Sequence, residues 1–330
     1  MQFIGCDVSK PTLDLAWQKA DTNRWSKPFK DTNDRSGWSR IKQWAEQQCQ
    51  VDRDEICFVL EATGVYHLPV AAHLSLAGFK VLVCNPGRSA DYARSQNRVN
   101  KSDSLDARSL QRYGAGLEKV HWFQADAPVI NELKSLLGLL DQLDKDILRW
   151  QNRQEKAAYQ YPDLAAPLAI NRQLRNLKRE HDRTQQAIDC LIRGDAELRR
   201  NHRLMCSIKG VGAKTSQALL PLVQGGRFES ARQLAAFLGL TPCHKSSGTT
   251  LKSPGRLSGR GDAKLRAKLY MPAVSAATSG GELSDFYESL LARGKTPKQA
   301  LTAVMRKLVH LCYGVVKNQT PYRENYSSLT

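Results

Sequence analysis

Residues 55–60 read EICFVL, a nearly continuous apolar run that ends directly before the acidic residue Glu61. A strand that is apolar at almost every position is typical of a sheet covered on both faces. Downstream, residues 65–77 are predicted to be helical and residues 80–84 to form another strand. Short β-rich segments that alternate with amphipathic helices predict an α/β sheet domain.

The residues around this run extend the same pattern. Strands are predicted at residues 3–8, 13–18 and 25–29, and a helix at residues 36–48. A further helix begins near Ser102, which can act as its N-cap. Three strands, helix, strand, helix, strand and helix is the element order of the ribonuclease-H-like (RuvC-type) fold.

The chain changes character from about Pro128 to Arg200, because strand signals vanish and long heptad-like helices take over. Apolar residues recur at spacings of three and four between Ile130 and Ile147, the signature of a packed helical seam. A second, charged helix is predicted at residues 168–192. The pattern fits a pair of helices folded on each other as well as a hairpin through which two chains dimerise.

These changes predict an α/β plus α protein with three parts. They are residues 1–123, an α/β domain; residues 124–200, a helical coiled-coil linker; and residues 201–330, a mostly helical domain with loops rich in Gly, Ser, Lys and Arg. Residues from Pro321 onward are polar and are predicted to be a loose tail.

The cysteines and the apolar stretches predict a soluble, cytoplasmic protein. The eight cysteines include no C-x-x-C pair and no close Cys/His cluster, so we expect reduced thiols rather than disulfides or a zinc site. The opening residues lack a basic segment followed by a long apolar stretch, so we expect no signal peptide, and no run approaches the ~18 apolar residues of a membrane span. We expect no membrane partner.

The formal net charge of +17 predicts a polyanionic partner, and its distribution is informative. Residues 1–123 hold 17 Lys/Arg against 14 Asp/Glu, whereas residues 124–330 hold 32 against 18. Between Arg203 and Lys268 there are 12 basic residues and two acids. The second part of the chain is therefore expected to bind nucleic acid.

Four acids stand where the predicted fold brings distant segments together: Asp7, Glu61, Asp103 and Asp106. The first two follow apolar strands, and the last two share a helical face at a spacing of three. Carboxylates in this arrangement suit a pair of Mg²⁺ ions acting on a phosphodiester. Each acid alone also fits a structural role, as a turn cap, a first-turn helix residue or a surface residue.

The second part contains two candidate features for nucleic-acid chemistry. Ser207 to Thr215 carries the Gly-x-Gly turn of a helix-hairpin-helix, although an ordinary helix–helix turn fits as well. A serine in the Gly-containing loop at residues 239–248 is a candidate nucleophile, and His244 its candidate base, although most Ser-Ser-Gly tripeptides are turns. The predicted nucleic-acid-binding residues are Lys209, Gly210, Gly212, Lys214, Lys245, Lys252, Arg256, Arg260, Lys264, Arg266 and Lys268.

The motifs together resemble a known family. They are residues 5–10 (GCDVSK), 60–66 (LEATGVY), 85–86 (NP), 101–108 (KSDSLDAR), 210–212 (GVG), 235–242 (AAFLGLTP) and 246–248 (SSG). The set resembles the DEDD transposases of bacterial insertion sequences, relatives of the Piv-type DNA invertases and now understood as bridge-RNA-guided recombinases.

This resemblance implies specific roles. Asp7, Glu61, Asp103 and Asp106 would be metal ligands for Mg²⁺ or Mn²⁺, and Ser247 the nucleophile, with Ser246 directly before it. The implied partners are donor and target DNA, a noncoding guide (bridge) RNA and further copies of the chain, from dimer to tetramer. The alternatives are a metal-dependent junction resolvase or nuclease with a structural serine, and a basic architectural protein without enzymatic activity.

Overall fold

The structure, a computed structural model, contains two compact units, Met1–Ala125 and Asp126–Thr330, and each has a hydrophobic core of its own. It describes residues 1–19, 22–62, 64–95, 103–160, 165–243, 246–247, 251–252, 256–257 and 261–324. Of residues 103–105, 165–166, 243, 246–247, 251–252 and 256 it describes the backbone only.

A five-stranded mixed sheet forms the centre of the first unit. Its strands are β1 (Gln2–Val8), β2 (Thr12–Trp17), β3 (Phe29–Thr32), β4 (Ile56–Glu61) and β5 (Lys80–Cys84). Their order is β3-β2-β1-β4-β5, with β1, β4 and β5 parallel and with β2 antiparallel to β1 and β3. This arrangement confirms the predicted mixed α/β fold and is compatible with a ribonuclease-H-like domain.

Helices cover both faces of this sheet. They are α1 (Arg35–Cys49), α2 (His67–Leu76), α3 (Pro86–Ser95) and α4 (Asp103–Ala115). Alternate residues of β4 enter different clusters: Phe58 and Leu60 pack with α1 and α2, whereas Cys57 and Val59 pack with Leu110 of α4. The unbroken apolar run at residues 56–60 follows from this burial on both sides.

The third strand lies later in the chain than the sequence predicts. Residues 25–29 were expected to form it, but β3 begins at Phe29, and Trp25 makes only an isolated bridge with Gln18. Pro28 explains the difference, because proline has no N–H to donate to a strand ladder. The prediction of a strand at residues 25–28 was therefore wrong.

Two glycines let α4 lie directly on the sheet. A Cβ atom added to Gly5 of β1 would stand 1.8 Å from the carbonyl oxygen of Ala107. One added to Gly114 of α4 would stand 2.5 Å from a methyl carbon of Val59. Helix backbone and sheet are thus closer at these points than any other residue type would permit.

The described part of the second unit is mainly helical. Its helices are α5 (Pro128–Gln160), α6 (Ala165–Gly194), α7 (Ala196–Cys206), α8 (Ala213–Gln224), α9 (Ala231–Phe237), α10 (Ala263–Thr278), α11 (Glu282–Ala292) and α12 (Pro297–Asn318). Between α9 and α10 the described residues include four two-residue strands: β6 (Pro242–Cys243), β7 (Ser246–Ser247), β8 (Leu251–Lys252) and β9 (Arg256–Leu257).

The long helices α5 and α6 pack against each other within one chain. Leu133 of α5 and Ile188 of α6 are fully buried in the core of the second unit. Other apolar positions of α5 stay exposed, among them Leu139 and Leu148. The pairing agrees with two helices folded on each other, and dimerisation through this hairpin stays a prediction.

Helix α12 lies at the centre of the second unit, where it contacts α7, α8, α9, α10 and α11. The segment that follows α12 is held in place: the backbone N–H of Tyr322 donates to Ser207 Oγ (2.8 Å), and its hydroxyl donates to Glu282 (3.0 Å). The predicted loose tail was therefore wrong for residues 321–324. Within the described residues, no helix is long and apolar enough to cross a membrane.

Candidate active site

Asp7 and Glu61 lie side by side at the ends of neighbouring parallel strands. The last residues paired between β1 and β4 are Cys6 and Leu60, so the next position on each strand brings the two acids into register. Residues in register project from the same face of a sheet, which here is the face covered by α4. Both acids are half-buried, so the structure brings together two of the four acids singled out in the sequence.

A third strand adds an acid that the sequence analysis missed. Asp14 of β2 is the cross-strand partner of Asp7, and it forms a 2.9 Å ion pair with Lys30 of β3. Burial, followed by the charges of Asp7 and Asp14, raises the pKa of the Cys6 thiol. The short turn at residues 9–11 was the available signal, because in a tight hairpin it places residue 14 opposite residue 7.

A hydroxyl group orients the Glu61 carboxylate. Ser89 of α3 is buried and donates from Oγ to Glu61 Oε2 at 2.8 Å. Burial, followed by the nearby Glu61 carboxylate, raises the pKa of the Cys84 thiol to about 12. The sequence analysis missed Ser89 because it predicted no helix after residue 84. Asn85, whose Oδ1 accepts from Gly87 N–H (2.9 Å), and Pro86 at the first helical position were the available signals.

Asp103 and Asp106 lie in the first turn of α4, and that turn lies toward the same edge of the sheet. Gly114 of α4 is beside Phe3 of β1, and Ala107 is beside Gly5. The helix therefore runs antiparallel to β1, and its first turn points toward Asp7. Asp106 is half-buried; the backbone alone is described for Asp103.

The described side chains do not by themselves form a metal cluster. Among them, no group of three or more His, Cys, Asp or Glu is arranged to hold an ion. The side chain of Asp103 is outside that set of residues. The carboxylates at this edge, which are oxygen ligands, fit Mg²⁺ or Mn²⁺ in chemistry.

The two glycines of the turn between α7 and α8 have different surroundings. Gly210 has a φ of 87°, and an added Cβ would stand 2.7 Å from the carbonyl oxygen of Pro272 in α10. Gly212 is the N-cap residue of α8, with open space around it. Gly210 therefore serves packing, and Gly212 presents accessible backbone. Lys209 forms a 2.7 Å ion pair with Glu324.

The predicted nucleophile lies in the antiparallel pair of strands β7 and β8, which we call the serine hairpin. Ser247 of β7 pairs with Leu251 of β8, and Ser246 pairs with Lys252. An outer pair of strands, β6 and β9, joins Cys243 to Arg256. The predictions for His244, Lys245, Gly248 and Arg260 concern positions outside the described residues.

The predicted cations on α10 and α8 differ in their contacts. Lys268 forms a 2.5 Å ion pair with Asp141 of α5, and Arg266 donates to the carbonyl oxygen of Leu238 at 3.0 Å. Lys264 and Lys214 are exposed in the first turns of α10 and α8. Lys268 and Arg266 therefore make contacts within the chain.

Two family models match the chain. The DEDD model of IS110 elements, described as Transposase, matches residues 4–161. The model described as Transposase IS116/IS110/IS902 family matches residues 202–288. The first match includes all four acids, and the second includes the Gly-x-Gly turn and the serine hairpin.

Similar proteins include two that align over almost the whole chain. The pilin gene-inverting proteins of Moraxella lacunata and Moraxella bovis are each 28% identical over 322 residues, which cover 97% of this chain and 97% of theirs. The insertion element IS110 uncharacterized 43.6 kDa protein of Streptomyces coelicolor is 29% identical over 139 residues, covering 42% of this chain and 34% of that protein.

Proposed function

The chain belongs to the DEDD-type transposases of insertion sequences, and we propose that it cuts and exchanges DNA strands through a serine nucleophile and a divalent-metal carboxylate site. The observation that carries the proposal is the register of Asp7 with Glu61 beneath the first turn of α4. Acids gathered at one edge of a sheet repel one another, and a divalent cation would relieve that repulsion.

Asp7, Glu61, Asp103 and Asp106 would hold the cations. When bound, Mg²⁺ or Mn²⁺ supplies charge that polarises a phosphate and stabilises the attacking and leaving oxygens. The hydrogen bond from Ser89 holds one oxygen of Glu61 and leaves the other for a ligand. Lys30 balances the charge of Asp14, so the acid beside Asp7 adds less repulsion to the site.

In the proposed reaction the hydroxyl of Ser247 attacks the scissile phosphorus. The serine oxygen forms a bond to phosphorus while the bond from phosphorus to the 3′-oxygen breaks. The serine loses its proton, and the leaving 3′-oxygen takes one up, which gives a phosphoserine link and a free 3′-hydroxyl. Reversal of this step on a different 3′-hydroxyl exchanges the strands.

The proposed partners follow from charge and from the family. The exposed Lys214 and Lys264 would contact phosphates, together with Gly212 at the start of α8. Sequence choice would come from a noncoding guide RNA, as the resemblance implies. The enzyme would act as a dimer or tetramer, with Ser247 of one chain serving the acids of another.

Similarity to the pilin gene-inverting proteins supports a second outcome of the same chemistry. Strand exchange between two oppositely oriented sites on one DNA molecule inverts the segment between them, whereas exchange between molecules inserts an element. We propose that the cleavage step is the same in both cases.

Replacing Ser247 with Ala tests the serine mechanism against a resolvase or nuclease with a structural serine. The Ser247→Ala variant is expected to lose strand exchange, measured as recombinant plasmid, and to keep DNA binding. Ser246→Ala is the matched control, because it makes the same change one residue away, and it should retain exchange. Unchanged product from Ser247→Ala would eliminate the serine mechanism.

Replacing acids tests the metal site separately. Asp7→Asn and Asp106→Asn are expected to abolish strand exchange with little loss of DNA binding, because both changes remove a charged oxygen ligand and keep the side-chain size. Asp31→Asn, on the edge strand β3 and paired with Arg40, is the charge-matched control and should remain active. Full activity in Asp7→Asn would refute the metal-site proposal.

A further inference from the structure

A cavity of about 420 Å³ opens on the surface of the second unit, beside α7. It is lined by Ala196, Arg199, Arg200, Arg203, Leu204 and Pro321. All three arginines are exposed and lie on one side of the helix, because Arg199 and Arg203 are one turn apart and Arg200 is three residues before Arg203. We call this cavity the arginine pocket.

Hydrogen bonds hold two sides of the arginine pocket. The guanidinium of Arg199 donates to the carbonyl oxygen of Arg193 at 3.0 Å. Leu204 is buried in the core beneath the pocket. Pro321 lies directly before Tyr322, whose N–H donates to Ser207 Oγ at 2.8 Å. Two sides of the pocket are therefore anchored, and a ligand would have to order mainly the side chains of Arg200 and Arg203.

The positive charge of the arginine pocket is not balanced within the described part of the chain. None of its three arginines forms an ion pair there, although Glu197 lies on the same helix. Like charges this close repel one another, so an anion with several negative groups would lower the free energy of the pocket. Other exposed arginines of the unit, such as Arg149 and Arg183, do pair with a neighbouring acid.

The chemistry of the lining selects the class of anion. Arginine presents a planar fork of donors that matches the two free oxygens of a phosphodiester. The remaining lining residues are Ala196, Leu204 and Pro321, which offer neither an aromatic face for a base nor side-chain groups that read base edges. The pocket is therefore suited to recognise the charge and shape of a ligand rather than its base sequence.

We propose that the arginine pocket binds the phosphodiester backbone of a nucleic acid, as a site additional to the Gly-x-Gly turn and the serine hairpin. Helix α7 leads directly into that turn, and Arg203 lies about one helical turn before it. A strand bound at the turn would continue along α7. The proposal rests on the proposed function only in that the enzyme acts on nucleic acid.

The test compares two double variants of the full-length protein. R200Q/R203Q removes two unpaired charges of the arginine pocket, and R149Q/R183Q removes two charges already paired with Asp146 and Glu180. Binding to a 30-base-pair DNA duplex and to an RNA hairpin is measured by fluorescence anisotropy over a series of salt concentrations. Thermal melting confirms that both variants are folded.

For R200Q/R203Q, the slope of log affinity against log salt should become shallower, by about 0.9 per lost phosphate contact on duplex DNA. The control should keep most of its slope. A reduced slope on the duplex alone would identify DNA as the ligand, and a reduced slope on the hairpin alone would identify RNA. An unchanged slope on both, or an equal loss in the control, would overturn the proposal. The assay requires no strand exchange, so it is independent of the Ser247 and Asp7 tests.

Discussion

At the scale of single residues, the proposed metal ligands depend on neighbours that hold them in place, such as Ser89 beside Glu61 and Gly5 beneath α4. Asp7 and Glu61 could be found because each follows an apolar strand. Asp14 was missed because an acid between two leucines reads as the polar face of an ordinary strand. The role of Gly5 could not be found at all, because the closeness of α4 to β1 depends on tertiary packing that no local pattern encodes.

Gly5→Ala is expected to inactivate the enzyme although it replaces none of the four acids. The new Cβ would stand 1.8 Å from Ala107 oxygen, and backbone cannot move aside as a flexible side chain can. Helix α4 must shift, which should lower the free energy of unfolding by roughly 1–3 kcal/mol and displace its first turn from Asp7. Thermal melting and recombinant product check both effects.

The control for this substitution is Gly138→Ala. Gly138 lies in α5 with open space around the added Cβ, and alanine there should stabilise the helix by up to about 1 kcal/mol. If the Gly5→Ala variant has the melting temperature and the yield of recombinant product of the wild-type protein, the close approach of α4 to the sheet is not required for function.

At the scale of elements, the sequence predicts a strand well where burial of apolar side chains sets the residue pattern. It predicts a strand poorly where a different contact accounts for the residue type. The apolar pattern of β4 is unambiguous. An aromatic residue such as Trp25 is common in strands, and the sequence therefore suggested one. In the structure the guanidinium carbons of Arg108 and Arg112 of α4 lie over its ring, 5.0 and 5.4 Å from the ring centre. Its aromatic character therefore reflects cation–π stacking on a helix distant in sequence.

The α5–α6 pair should depend on a few buried side chains. Ile188→Ala is expected to lower the free energy of unfolding by about 2–5 kcal/mol, because the residue is fully buried and its loss leaves a cavity. Leu148→Ala, at a position that is 58% exposed, should change it by less than about 0.5 kcal/mol. Urea unfolding followed by circular dichroism measures both, and equal effects would contradict the observed seam.

At the scale of the whole molecule, the proposed chemistry is divided between two units. The four acids belong to the first unit, and the serine hairpin belongs to the second. Charge is divided in the same way, because most of the excess of Lys and Arg lies after residue 123. Composition could predict this division, but it contains no information about which chain's serine serves which chain's acids.

Mixing two inactive variants distinguishes the arrangements. If Ser247 of one chain serves the acids of another, Asp7→Asn and Ser247→Ala proteins assembled together should recover part of the strand exchange, since an intact pair can form between them. Each variant alone is the control and should stay inactive. Failure to recover activity in a mixture shown to co-assemble would indicate that each chain uses its own serine.

The central place of α12 has a consequence for synthesis on the ribosome. The first unit is complete once residue 125 has emerged, whereas α7 to α11 await a helix that ends at Asn318. At about 5–20 residues per second, the helices from α7 onward would wait several seconds or more with apolar faces uncovered. Nascent chains should therefore recruit chaperones mainly during translation of the second unit.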